Sequence, residues 1–443
     1  MKYFVFLIAV LGMPPLALLL WLNLRWARYA IWGILGALCL YEATSINFFS
    51  HAFYPGTARG MEVGLVHLLS AALLLALVLR KKVRSWLPDG GFRLYAVYFL
   101  LCLPSLTAAE SCLISWFELW KMILLFGIAL TVYTYLQATD DVKSVLIGFA
   151  LFALVNFLVV TKMHYSGIYQ PGGIFPHRNS MGMAMTLLGP IFFASFLANG
   201  VYGWARLLLA AAFVGSMVSA FWSYSRGVMV VIPFGFGLTA VACLLERKRT
   251  IGKIKRLAVV VLVGVLGLAL LLPRIIERFS EAPESSADTR VELAYCATEM
   301  IRDEPWRGVG INNWSLKLDP AYPYQDNASK LVGRELDYRG IVETVYLLVC
   351  AECGLPAFIA MLVLFGWYWV VCVKLLRRLR GTRWYFVPAG ILGGLTANYM
   401  QSMLEWVLRQ QINLTCLFFM FAILSFLNGN WQRLVEQDGV RHG

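Results

Sequence analysis

Arg226 interrupts the apolar run "FWSYSRGVMVVIPF" (221–234), with Ser225 and Gly227 on either side. An arginine at the bilayer centre costs roughly 2.5–3.5 kcal/mol on insertion scales, so one kept beside lipid is either an interfacial anchor or a fixed charge. As a fixed charge it suits phosphate, because guanidinium offers a planar fork of donors and does not deprotonate. Gly227 would let a ligand approach the backbone closely. A second group stands in "GGIFPHRNSMGM", where His177, Arg178 and Asn179 precede a new apolar run. Asn179 reads there as a helix N-cap, or the triplet reads as an anion site at a helix N-terminus. Arg290, in a long polar segment, adds a further cation. Glu343 enters the next apolar run in "DYRGIVETVYLLVCAECGLPAF". A carboxylate there is a candidate general base if an acceptor comes within hydrogen-bond reach, or a structural partner of Arg334 or Arg339.

These residues need a scaffold, and composition defines it. The chain has 443 residues, 60% hydrophobic and only 14% charged, with a mean hydropathy of +0.69. Apolar runs long enough to cross a membrane recur along it, which predicts an all-α polytopic membrane protein. Candidate spans fall near 3–22, 27–47, 62–79, 94–108, 114–136, 142–161, 180–198, 205–222, 228–245, 257–273, 342–373, 385–404 and 411–428. That makes thirteen, or twelve plus a re-entrant first segment carrying Pro14 and Pro15. The first segment lacks a small-residue cleavage site and reads as a retained membrane helix.

The net charge of +13 concentrates in three short loops, 80–93, 246–256 and 374–383. Lys and Arg beside membrane spans mark the cytoplasmic side, so this basicity reports topology and no nucleic-acid partner is expected. Alternation puts all three loops on one side. It places the 165–179 segment, "SYSRG", residues 274–341 and "LEWVLRQ" on the other. Four parts follow: helices over 1–273, an outer loop over 274–341, C-terminal helices over 342–428 and a cytoplasmic tail over 429–443. The outer loop holds nine basic and twelve acidic residues, without the cytoplasmic bias. Its stretch "RVELAYCATEMIRD" predicts an amphipathic helix with Val291, Ala294, Tyr295, Thr298 and Ile301 on one face and Asp288 as N-cap. Pro305 and two glycines then force a turn in "DEPWRGVGINNW". Trp306, Trp314, Tyr322, Tyr324 and Tyr338 could stack on sugars, or form a packed cover.

The nine cysteines are scattered, and Cys350 and Cys353, despite CxxC spacing, have no second ligand pair nearby; no metal site and no disulfide framework is expected. Glu118 and Lys121 lie one turn apart in "SWFELWKM" and read as an intramembrane pair.

Taken in order, "GGIFPHRNSMGM", "SYSRG", "TRVELAYCATEMIRDEPWRGVGINNW" and "ETVYLLVCAECGLPAF" resemble the O-antigen ligase/polymerase superfamily. This group includes lipopolysaccharide O-antigen ligases, Wzy-type polysaccharide polymerases and protein O-oligosaccharyltransferases. The resemblance implies a GT-C-like helical enzyme of the bacterial inner membrane with its site facing the periplasm. It implies transfer of a glycan from an undecaprenyl-diphosphate carrier to a hydroxyl acceptor, with no cofactor and no obligatory metal. Membrane lipid and a chain-length regulator are the other partners it suggests. By motif, the two arginines that engage the diphosphate fall on Arg226 and Arg290. The ligases carry a histidine in an "HN-x-YL" pattern; aligned on Tyr346-Leu347, this chain reads "ET-V-YL", with Glu343 at the histidine position. That departure favours a polymerase of O-antigen or exopolysaccharide over a ligase. Arg226, Arg290 and Glu343 are thus the expected catalytic residues, and His177, Arg178, Asn179, Ser225 and Tyr346 the expected substrate contacts. A transporter or flippase for an anionic solute or lipid is the alternative of another class. It would need cations through the membrane depth, whereas these collect on one face. A non-catalytic scaffold of the cell envelope is a third reading.

Overall fold

The structure, a computed structural model, describes residues 2–51, 53–198, 201, 203–246, 251–280, 284–332 and 340–439. The chain is an all-α polytopic membrane protein. Its first half contains α1 (Lys2–Leu22), α2 (Ala27–Cys39), the single turn α3 (Tyr41–Thr44), α4 (Leu65–Leu79), α5 (Gly90–Cys102), α6 (Cys112–Thr139), α7 (Val142–Tyr165) and α8 (Arg178–Leu197). There follow α9 (Trp204–Trp222), α10 (Arg226–Leu244), α11 (Ile251–Ser280), α12 (Glu284–Asp303), the short α13 (Trp314–Lys317) and α14 (Pro323–Val332). The chain closes with α15 (Val345–Arg378), α16 (Phe386–Gln401) and α17 (Gln411–Gln437). A small antiparallel ribbon, β1 (Ile46–Phe48) with β2 (Met61–Val63), pairs Ile46 with Val63 between α3 and α4.

Every one of the thirteen predicted spans contains a helix. Among the described residues nine helices are long and apolar enough to cross a membrane. The first of these is α1, continuous through Pro14 and Pro15. Helices α2, α4 and α16, with 13, 15 and 16 residues, fall short of the roughly 20 that a full crossing takes.

Two ends of the bundle differ in chemistry. At one, arginines cap helix carbonyls: Arg80 Nε donates to Trp21 O (2.6 Å), Arg256 Nη2 to Leu197 O (2.7 Å) and Arg380 Nη2 to Leu245 O (3.1 Å). This basic end gathers the loops after α1, α4, α8, α10 and α15. The N-termini of α8 and α10 lie at the opposite end.

Helix α8 is the central post, almost wholly buried. Glycines on α16 let the backbones close in: a Cβ at Gly390 would lie 2.4 Å from Ile191 Cα, and one at Gly394 2.2 Å from Leu187 O. Small residues four apart are how membrane helices pack when lipid supplies no hydrophobic drive. Gly393 faces Gly235 of α10 in the same way, its added Cβ 2.3 Å from the Gly235 carbonyl oxygen. α16 thereby holds α8 and α10 side by side, with both N-termini at the same level.

Helix α15 is broken. Gly354 has φ 79° and ψ 171°, and Pro356 follows without an N–H to donate. Carbonyls freed by the break cannot stay unpaired in a membrane. The turn after α12 satisfies them: Val309 N donates to Ala351 O (2.9 Å) and Gly310 N to Glu352 O (3.0 Å), while Leu355 N donates back to Pro305 O (2.8 Å). Asn312 then plugs into the bundle, its side chain donating to Ala58 O (2.8 Å) and Ile114 O (2.9 Å) and accepting from Ala58 N (3.1 Å).

Below this turn the predicted Glu118–Lys121 pair forms at 2.7 Å, but as part of a larger buried network. Arg409 reaches Glu118 at 3.0 Å and Glu352 at 3.2 Å. Lys121 also donates to the Arg409 carbonyl at 2.8 Å. The network fixes the segment between α16 and α17.

The amphipathic helix exists, though with another buried face. Leu293, Cys296, Ala297 and Met300 are its buried apolar positions, packed in one small core with Val309, Trp314 and Tyr324, whereas Val291 is 62% exposed. Both sets have i, i+3, i+4, i+7 spacing; the buried one has four apolar members, the predicted one a threonine. Asp288 is not a cap, since α12 starts four residues earlier at Glu284. Trp314 is buried and therefore packs, while Trp306 stays exposed. Arg334, Tyr338 and Arg339 lie outside the described residues.

Candidate active site

Seven of the eight expected site residues line one cavity of about 400 Å³: His177, Arg178, Asn179, Ser225, Arg226, Arg290 and Glu343. They come from three separate stretches of chain plus the segment that leads into α15. Glu405 and the apolar Val230 and Leu404 complete the wall with Tyr224 and Gly227.

Two helix ends point into this space. His177 is the N-cap of α8, its Nδ1 accepting from Asn179 N at 3.2 Å. The cap is therefore His177, where the sequence suggested Asn179. Nearby burial and the Arg178 charge push its imidazole below the ordinary value, with Glu343 opposing. A neutral ring is what an accepting Nδ1 requires. Ser225 stands at the N-cap of α10 in extended conformation. Its hydroxyl is buried and has no hydrogen-bond partner among the described residues. Tyr224 just before it adopts φ 48° and stacks on Tyr169 at 5.0 Å between ring centres. That stack ties the 166–177 segment to the Arg226 turn. The first-turn N–H groups of both helices carry partial positive charge, and such ends accept anions.

Arg226 opens α10, partly buried, and its guanidinium has no ion-pair partner among the described residues. Arg290 is engaged: it ion-pairs with Glu343 and lies 3.7 Å from Glu405. Glu405 also accepts a 2.6 Å hydrogen bond from Asn179 Nδ2. Burial, then the charge of Glu343, push the Glu405 carboxyl up from 4.5 to about 7, against the pull of Asn179, Arg290 and Arg178. Sequence reasoning placed "LEWVLRQ" on this face without singling out Glu405. Tyr346 does not line the cavity; its hydroxyl donates to Tyr399 O at 2.9 Å and joins α15 to α16.

The cavity thus offers three guanidinium groups and two helix N-termini for an oxyanion, beside two carboxylates able to take a proton. Such juxtaposition suits displacement of an anionic leaving group by a hydroxyl. Fold and cavity together define a polytopic helical membrane protein with an arginine-lined cavity at one end of its bundle. Residues 207–362 match the model of the O-antigen ligase family. The match supports the O-antigen ligase/polymerase superfamily and a membrane glycosyltransferase of that type. Arg226, Arg290 and Glu343 fall inside the matched stretch; His177, Arg178 and Glu405 fall outside it. No curated protein matches the chain.

Proposed function

We propose that this protein transfers a glycan from an undecaprenyl-diphosphate carrier to a sugar hydroxyl, as a polymerase of an O-antigen or exopolysaccharide. The observation that carries this reading is the meeting of Arg178, Arg226 and Arg290 with Glu343 and Glu405 in one cavity at the end away from the basic loops. The positive-inside rule supports a cytoplasmic basic end and a cavity facing the periplasm. Val230 and Leu404, on its wall and partly exposed, offer an apolar edge along which an isoprenoid tail would reach the bilayer.

In the reaction the acceptor oxygen attacks the anomeric carbon as that carbon's bond to the diphosphate oxygen breaks. The bonding pair leaves with the diphosphate, and the acceptor proton passes to the Glu343/Glu405 pair. Charge grows on the departing oxygen, and Arg226, Arg290 and the two helix ends stabilise it more in the transition state than in the ground state. Glu343 standing where ligases carry histidine supports polymerisation over ligation.

Purified protein in liposomes with lipid-linked repeat units tests this. Longer glycans on the carrier are expected. Transfer to lipid A core would make it a ligase, and solute flux without either product would overturn the enzyme reading.

A further inference from the structure

A second cavity, of about 210 Å³, adjoins the arginine-lined one. Pro176 lines the second and His177 the first; Trp406 lines the second and Glu405 the first. Consecutive Cα atoms are about 3.8 Å apart, so in both places the partition is one residue thick.

The two cavities differ in chemistry. The second is walled by Trp120 and Trp406 together with Glu42, Glu62, Arg59 and Gln411. Glu42 and Glu62 face Arg59 and Lys121, and Lys121 is already paired with Glu118 at 2.7 Å, so the cavity lacks the cluster of guanidinium groups a diphosphate needs. Polar groups line it too heavily for a lipid tail. Indole surface beside planar carboxylate and amide groups suits a ligand with an apolar ring face and a rim of hydroxyls, which describes a sugar. Its volume lies below the roughly 300–1,000 Å³ of drug-sized sites and matches one ring better than a chain.

The wall is also held in place before any ligand arrives. Tyr41 Oη donates to Glu62 Oε2 at 2.9 Å, and Trp120 Nε1 to Glu62 O at 3.3 Å. Gln411 Nε2 lies 3.2 Å from His67 Nε2. Arg59 is exposed and has no ion-pair partner among the described residues.

We infer that this second cavity binds the terminal sugar of the acceptor glycan and presents its hydroxyl across the Glu405–Trp406 partition. This rests on the glycosyl-transfer reading above. The proton lost by that hydroxyl meets Glu405 on the partition itself, while the anomeric carbon it attacks is delivered from the arginine side.

The test separates the two cavities by ligand. Binding to purified full-length protein is measured for two probes: inorganic pyrophosphate, and the soluble oligosaccharide released by mild acid from the producing cell's own lipid-linked glycan. Trp120→Ala and Arg59→Ala are expected to weaken the oligosaccharide about tenfold, roughly the effect of one lost stacking or charged contact, and to leave pyrophosphate unchanged. Arg226→Ala should do the reverse. Trp120→Phe, which keeps the ring, should retain oligosaccharide binding and serves if the alanine variant does not fold. Oligosaccharide binding lost in Arg226→Ala but intact in Trp120→Ala and Arg59→Ala would overturn the inference, as would absence of oligosaccharide binding to the unaltered protein. Failure of pyrophosphate binding alone would count against the transfer reading and leave the sugar cavity standing.

Discussion

Arg290 bridges two carboxylates: it ion-pairs with Glu343, and its Nη2 lies 3.7 Å from Glu405. In the proposed transfer, one guanidinium would set both the charge facing the leaving group and the charge balance of the two carboxylates. Arg290→Ala is expected to lower kcat by about 10²–10³, the usual cost of removing a transition-state donor. It should also move the acid limb of the pH profile upward, because two carboxylates left facing each other hold a proton more tightly. Arg290→Lys keeps the charge without the fork and should recover activity only in part. Initial rates across pH on purified variants check all three.

Arg226 differs because its guanidinium is committed to no carboxylate among the described residues. Its loss should therefore spare the fold. Arg226→Ala is expected to change the thermal midpoint little while lowering turnover by a factor of about 10²–10³. A midpoint that falls with the activity would mean a structural anchor at the membrane interface.

Much of this site was legible in the chain because Arg226, the His177-Arg178-Asn179 triplet and Glu343 are polar residues at edges of apolar runs, where polarity is costly. Glu405 was not. It follows the last turn of α16 in a segment that reads as an ordinary connection, and it becomes a buried carboxylate only when α8 and α12 close over it. The buried face of α12 was misread because two sets of helical spacing, offset by two residues and so on nearly opposite sides of the helix, were both plausible, and only packing against Trp314 and Tyr324 chooses between them. Tyr346 was carried by motif alignment alone, and its hydroxyl proved to hold helices together. The break in α15 was hinted at by "CGLP", but the turn that fills it comes from forty residues upstream, beyond any local pattern.

Gly354 offers a test of that break. A Cβ there would lie 2.5 Å from Trp306 O, on a backbone with φ 79°. Gly354→Ala combines left-handed strain with a backbone clash and should cost at least about 1–3 kcal/mol. Gly366 on the same helix has nothing within 4 Å of an added Cβ, so Gly366→Ala should be tolerated. Thermal midpoints of the two variants, measured side by side, decide it.

Arg409 holds Glu118 and Glu352 in the buried network. Removing one member of such a group strands the others, typically at about 3–5 kcal/mol. Arg409→Met is expected to lower folded yield and thermal midpoint sharply. Adding Glu352→Gln to it should restore much of the loss, since Glu118 and Lys121 then remain as a balanced pair at 2.7 Å. If the double variant is no better than the single one, side-chain packing rather than charge dominates here.

In the proposed reaction, Glu405 would link stability to catalysis through pH. Its carboxyl rises from 4.5 to about 7 in the fold, so the folded state binds the proton more tightly than the unfolded one. Stability from this group is then fully present below about pH 4.5 and is lost as pH rises through about 7. By pH 8 the loss is on the order of 3 kcal/mol. Glu405→Gln cannot ionise, so it should raise the thermal midpoint at pH 8 and leave it nearly unchanged at pH 4.5. Activity should move the opposite way. A base must be ionised to accept a proton, so turnover of the unaltered protein should fall about tenfold per pH unit below 7. The glutamine variant should be slow at every pH and lose that acid limb. A variant that keeps the limb would assign the titrating base to Glu343, and one with unaltered midpoints at both pH values would refute the buried, protonated carboxyl.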